Sequence, residues 1–173
     1  MTAEQHRENH CLSPTPRYLS QMPRLTRLDE IFTQEEYYFV TACTANRRPL
    51  LASHSLHGTF QQFAKTGSER GARVGRYVIM PDHIHLFVCF VETELGLSSW
   101  MKSLKNTLSK ELRKQGSQSP HWQKGFFDHL LRSKESEAEK WLYVRDNPVR
   151  AGLVAHHSDW PYAGEIIPSS CLQ

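Results

Sequence analysis

Two short constellations in this chain hold the residue types from which chemistry can be built. The first, His83 and His85, sits in RYVIMPDHIHLFVCF at 76–90, where two apolar runs flank a Pro81-Asp82 break and read as strands joined by a tight turn. Side chains of a strand repeat every two residues, so both imidazoles leave the sheet on one face while Ile84 points into the core. Such a pair can hold one divalent metal. Each ring then gives one nitrogen to the ion and keeps the other for a partner that fixes its orientation. The second constellation, Tyr143 and Asn147, lies in WLYVRDNPVRAG at 141–152. Four residues apart on a helix, the two share one face, with Ala138, Trp141 and Leu142 as apolar anchors near it. A phenol beside a carboxamide suggests a nucleophile and a ligand. A phenol ordinarily ionises near pH ~10, so attack at neutral pH needs a cation or base close by. Read without the histidines, the pair is more simply a packed tyrosine and a helix-capping asparagine.

The elements that must position these residues follow from periodicity. Both strands of the histidine hairpin are continuously apolar rather than alternating, which predicts burial on both faces. YYFVTACT at 37–44 is an earlier strand, rich in aromatic and β-branched residues. Leu56, Phe60, Phe63 and Ala64 recur at helical spacing and predict a helix over 55–65, followed by a loop between Gly67 and Gly71. Leu97, Trp100, Met101, Leu104, Leu108 and Leu112 form a regular helical stripe, with Ser98 or Ser99 as its N-cap and Gly116 just past its end. That stripe is core. A loop entering a fourth strand spans 120–131, and a last helix runs from Ser133 or Ser136 to Asn147, where Pro148 pushes the preceding residue out of helical geometry. Ser136 with Glu139 suits a capping box. The order β-α-β-β-α-β is that of an α+β, ferredoxin-like antiparallel sheet, here with an additional C-terminal helix carrying the tyrosine.

Size and composition bound the rest. At 173 residues the chain is long enough for one real core. Its net charge is only +3, from 21 basic and 18 acidic residues, but the distribution is uneven. Within 101–115, Lys102, Lys105, Lys110, Arg113 and Lys114 are opposed only by Glu111, a basic helix face suited to phosphate or simply to solvent. Cys11, Cys43, Cys89 and Cys171 form no C-x-x-C pair, so neither a zinc knuckle nor a disulfide framework is indicated, and a reducing, cytoplasmic setting fits. No signal-peptide run opens the chain and no stretch approaches the ~18 apolar residues of a membrane span. The polar, proline- and arginine-containing start reads as an extended basic arm over 1–30, before a catalytic domain at 31–165 and a tail at 166–173.

PDHIHLFV, then HWQKGFFDHLLR, then LYVRDNPVRAGLV, in that order and spacing, resemble the REP-associated tyrosine transposases, a branch of the single-tyrosine HUH transposases. The likeness covers about 37–160. It implies that His83-Ile84-His85 is the HUH motif, that Tyr143 is the nucleophile, and that Asn147 occupies the third metal-ligand position, where some relatives carry glutamine. It further implies site-specific cutting and rejoining of single-stranded DNA beside hairpins of repetitive extragenic palindromes, through a 5′-phosphotyrosine link and with magnesium or manganese. No nucleotide cofactor is expected, and no G-x-x-x-x-G-K-[ST] loop is present. The implied setting is bacterial and nucleoid-associated. Relatives outside this branch work as dimers, and both homodimer and monomer are compatible with the sequence.

For DNA contact the candidates are Lys102 and Lys105 on the basic helix, Arg132, Arg145 and Arg150 lining the same groove, and Arg24 and Arg27 in the arm. His54, His57, His121, His156 and His157 have no spacing that singles them out, and His129 in FFDHLLR reads as structural or near the site. Two other classes compete with the transposase. One is a DNA- or RNA-binding module that kept this fold without catalysis. The other is a metal-dependent hydrolase that uses water.

Overall fold

The computed structural model describes residues 36–91, 93–131 and 134–168, and of 134–136 the backbone alone. Arg24, Arg27 and Arg132, with the N-terminal arm and the last residues of the tail, lie outside the described residues. In chain order the elements are β1 Glu36–Cys43, α1 His54–Ser68, β2 Ala72–Ile79, β3 His83–Phe90, α2 Leu97–Lys114, β4 Phe127–Leu131, α3 Lys134–Arg145, α4 Asn147–Arg150 and β5 Ala163–Glu165. The sheet order is β4-β1-β3-β2-β5, with every neighbouring pair antiparallel. Its first four strands make the ferredoxin-like sheet. The fifth, which the sequence did not announce, is a three-residue strand on the free edge of β2. It reaches β2 where Gly164 faces the Tyr77 hydroxyl, which a Cβ at Gly164 would approach to 2.9 Å. The chain stays bonded to β2 beyond it, with Ile166 N–H donating to Gly75 O and Ile167 N–H to Val74 O.

Alternation along β3 divides the molecule. Ile84, Leu86 and Val88 enter the main core, where they meet Leu56, Phe60 and Ala64 of α1 and Trp100, Met101, Leu104, Leu108 and Leu112 of α2. Phe87 enters a smaller core on the other face, with Phe39, Val78, Met80, Leu131 and Val144 of α3. The central strands are therefore covered on both sides, as their continuous apolar content predicts.

The helix ends show where local signals succeed and fail. At the end of α2, Gly116 takes φ 82°, Gly116 N–H donates to Arg113 O and Ser117 N–H to Leu112 O, the double closure that a left-handed glycine permits. Its start differs from the expectation: the N-cap is Gly96, so Ser98 and Ser99 lie inside the first turn, and the Ser99 hydroxyl donates back to Gly96 O. The last helix also differs. α3 begins at Lys134, which puts Ser136 within the helix rather than at a capping box, and it ends at Arg145. Asp146 breaks it and Asn147 opens α4. Pro148 has no N–H to continue α3, but it is tolerated in the first turn of a new helix, where that N–H would be unpaired anyway. The break therefore falls one residue before Asn147. No helix among the described residues is long and apolar enough to cross a membrane.

Candidate active site

His83 and His85 project from β3 on the face that carries α3, their ring centroids 4.6 Å apart and their planes nearly perpendicular. Each ring is fixed through Nδ1. Asp82 Oδ1 lies 2.6 Å from His83 Nδ1, and Thr41 Oγ1 lies 2.8 Å from His85 Nδ1. Thr41 reaches His85 because the two are cross-strand partners in the β1–β3 register. His85 also stacks on Phe39, at 5.5 Å and 16°. With Nδ1 engaged on each ring, Nε2 is the atom left to a metal, the arrangement in which an oxygen partner sets the tautomer of a ligating histidine. Burial, reinforced by the neighbouring His83, Arg47 and Arg150 and opposed by Asp82, pushes the His85 pKa down to about 3. His85 is thus neutral at physiological pH, the form that ligates.

α3 lays Tyr143 beside this pair. The helix is held by Val144, which is buried, and by half-buried Trp141, which lies against Phe87 and under the Arg76 guanidinium. Glu137, also buried, pairs with Arg76. Ala138 and Leu142 do not anchor it: both are exposed, because the buried stripe runs through Glu137, Trp141 and Val144 instead. Tyr143 is 66% exposed. It lines a cleft of about 350 Å³ together with His85, Phe39, Glu139, Lys140 and Val144. The sequence reading took Glu139 only as a capping-box partner and passed over Lys140, although they sit four and three residues before Tyr143, the spacing that shares a helix face.

Asn147 does not stand one turn above Tyr143 on a single helix, because the chain breaks between them. Arg150 joins the two instead. Its guanidinium lies 4.0 Å from the Tyr143 ring centroid and donates to Tyr143 O and to Asn147 Oδ1. The donor set suits a divalent cation only in part. Among the described residues no three His, Cys, Asp or Glu side chains cluster as ligands, so the histidine pair needs oxygen from an amide or from substrate. Asn147 is the amide that the sequence reading offers, and its oxygen here accepts from Arg150.

The basic residues fall into separate places. α2 packs on the opposite face of the sheet from the histidines, so Lys102 and Lys105 do not share a groove with Arg145 and Arg150. Lys105 is moreover occupied: its ammonium donates to Gln123 O and Gly125 O and lies over the Trp122 and Phe126 rings, and this burial lowers its pKa. It staples the loop before β4 to α2. Arg145 pairs with its neighbour Asp146 at 3.2 Å. His129 is exposed on β4, across from Phe39 on the histidine face. His121 is buried, with Nε2 on Ser117 O, and its own carbonyl accepts from Ala45.

The family model for IS200-like transposases matches residues 32–146. A REP-associated tyrosine transposase of Escherichia coli (strain K12) is 25% identical over 126 residues, spanning 73% of this chain and 74% of its own. A Haemophilus influenzae protein assigned to the same transposase type is 27% identical over 142 residues, 76% of this chain and 81% of its own. A solved REP-associated tyrosine transposase bound to a REP hairpin matches with a TM-score of 0.62 at 25% identity, over 74% of this chain and 75% of that one. A transposase structure from Deinococcus radiodurans, at 16% identity and TM-score 0.50, covers 66% of this chain and 92% of its own, and shares the fold.

Proposed function

The chain belongs to the IS200-like transposase family, and we propose that within it this protein cuts and rejoins single-stranded DNA beside REP-type hairpins through a covalent bond to Tyr143. The observation that carries the reading is the shared cleft: Tyr143 of α3 and His85 of β3 line one opening of about 350 Å³.

In the proposed reaction the Tyr143 oxygen attacks the scissile phosphorus, a P–O bond to the tyrosine forms, and the bond to the 3′ oxygen breaks. The phenol gives up its proton and the departing 3′ oxygen gains one, leaving a 5′-phosphotyrosine and a free 3′-hydroxyl. Attack by a 3′-hydroxyl on that link reverses the exchange and frees Tyr143. The phosphodiester bond energy is kept throughout, so no nucleotide is consumed. His83 and His85, with Asn147 as the third side chain, are the residues that would hold magnesium or manganese. Such a cation would draw charge from the phosphate oxygens. Asp82 and Thr41 orient the two rings. Arg150, against the phenol ring, brings positive charge beside the nucleophile, where it offsets the charge gathering on the phosphate.

The test is a denaturing gel of protein incubated with labelled hairpin DNA and Mn2+. A covalent band that disappears in Tyr143→Phe is expected. Wild-type protein that binds the hairpin but gives no band would make this a binding module of the same fold, and continued cleavage by Tyr143→Phe would make it a water-using hydrolase. His83→Ala and His85→Ala are expected to abolish cleavage and leave hairpin binding largely intact.

A further inference from the structure

Just after β1 the backbone passes through two successive left-handed residues, Asn46 and Arg47, each with φ 54°. Asparagine visits that region readily because its short amide bonds locally; arginine does so at a cost. The turn is nonetheless over-determined by its surroundings. Thr44, fully buried, donates its N–H to Asp82 O at 2.9 Å, and its hydroxyl lies 2.8 Å from Arg48 O and 3.0 Å from Asp82 O. Ala45 N–H donates to His121 O, and the Arg48 guanidinium donates to the carbonyls of Gln118 and Pro120.

None of those bonds uses the Arg47 side chain. Among the described residues its guanidinium meets only Asp82 Oδ2, at 3.4 Å, and Cys43 Sγ, at 3.2 Å, and the side chain is 54% exposed. An exposed ion pair of that kind contributes little stability, too little to explain an arginine in a conformation that glycine would take freely. Strain that the surroundings hold in place is a mark of function. The location is specific. The other oxygen of Asp82 holds His83, and Cys43 is the cross-strand partner of His83 on the same face.

We propose that Arg47 is a phosphate-binding residue for the DNA strand at the histidine pair, resting on Asp82 in the free protein and turning its guanidinium fork to a phosphate when the strand arrives. Asp82 keeps His83 through its first oxygen in either state. The inference rests on the reading of this site as one for single-stranded DNA, and it adds a contact that neither the histidines nor the tyrosine supply.

The test compares wild type, Arg47→Gly, Asn46→Gly and Arg47→Lys in equilibrium binding of a labelled hairpin oligonucleotide with a single-stranded flank, without divalent metal and over a range of salt, alongside thermal melting. Both glycine variants are expected to melt at or above the wild-type temperature, since glycine accepts the positive φ. Asn46→Gly should bind as wild type does. Arg47→Gly should bind roughly tenfold more weakly, with the log–log salt slope reduced by about 0.7, one phosphate's share on a single strand. Arg47→Lys should restore the slope and only part of the affinity. Wild-type affinity and slope in Arg47→Gly, or a melting temperature well below wild type, would overturn the proposal. If wild type forms the Tyr143 adduct while Arg47→Gly binds normally, this inference falls alone. If no adduct forms yet Arg47→Gly loses binding, the catalytic reading falls and this one stands.

Discussion

Alternate residues of the same strands build two unlike faces. On one, Ile84, Leu86 and Val88 disappear beneath two long helices, and Trp100, Phe60 and Leu104 close the layer. On the other, among the described residues, helix α3 rests through Val144 on Phe39 and Phe87 and stops short, leaving the histidine end of β3 and the Tyr143 ring open to the cleft. The first face is where burial of apolar area stabilises the fold. The second gives up that burial around the cleft. α3 carries Tyr143 and Leu142 exposed.

If the division is real, substitutions on the two faces should separate chemistry from stability. The largest effect is expected from Tyr143→Phe, which should eliminate the covalent DNA adduct on a denaturing gel while the melting temperature stays at the wild-type value. On the opposite face, Trp100→Ala should cost about 3–5 kcal/mol in urea unfolding, and the protein that remains folded should bind Mn2+ as tightly as wild type. Loss of metal affinity in Trp100→Ala beyond its unfolded fraction would erase the distinction. Between these, Asp82→Asn and Thr41→Val should each lower Mn2+ affinity by about 10–100-fold by freeing an imidazole to turn, measurable by calorimetry.

The pH response sharpens the comparison further. An unfolded histidine titrates near pH ~6.5, whereas His85 in the fold refuses a proton until about pH 3. Between those limits the unfolded chain binds more protons than the native one, so stability is full above pH ~6.5 and is lost as pH falls through the window, with a slope of at most ~1.4 kcal/mol per unit for this one group. Metal-free His85→Gln should lack that part of the slope in denaturant titrations. The smallest effect belongs to Val144→Ala, at about 1–2 kcal/mol of stability. Because Val144 seats the helix that carries Tyr143, this variant should also slow cleavage, which Trp100→Ala should not do in its folded fraction.

Much of the fold was legible where a signal is local. The PDHIH turn, the stripe from Leu97 to Leu112 and the glycine at 116 each announce themselves within a few residues. β5 was not legible, because three residues, Ala163 to Glu165, are too few to show a period, and they become a strand only by meeting the edge of β2. Pro148 marked a helix end, but the break at Asp146 and the fresh turn at Asn147 depend on how the following segment packs. The basic run on α2 was visible as charge. Its position across the sheet from the histidines, and the use of Lys105 to hold a loop, were not.

The order of residues alone determined that His83 and His85 share a face and that Ile84 opposes them, since the two-residue repeat of a strand needs no information from elsewhere in the chain. It also carried the three motifs by which the family is recognised. Only the tertiary structure decided that Thr41, forty-four positions away, would hold the His85 ring, that α3 would bring Tyr143 to the same cleft, and that a strained turn would set Arg47 beside Asp82. Backbone geometry dictates periodicity residue by residue. Register, helix docking and the partners of long charged side chains depend instead on which distant surfaces are buried together, and that is settled only when the whole sheet assembles.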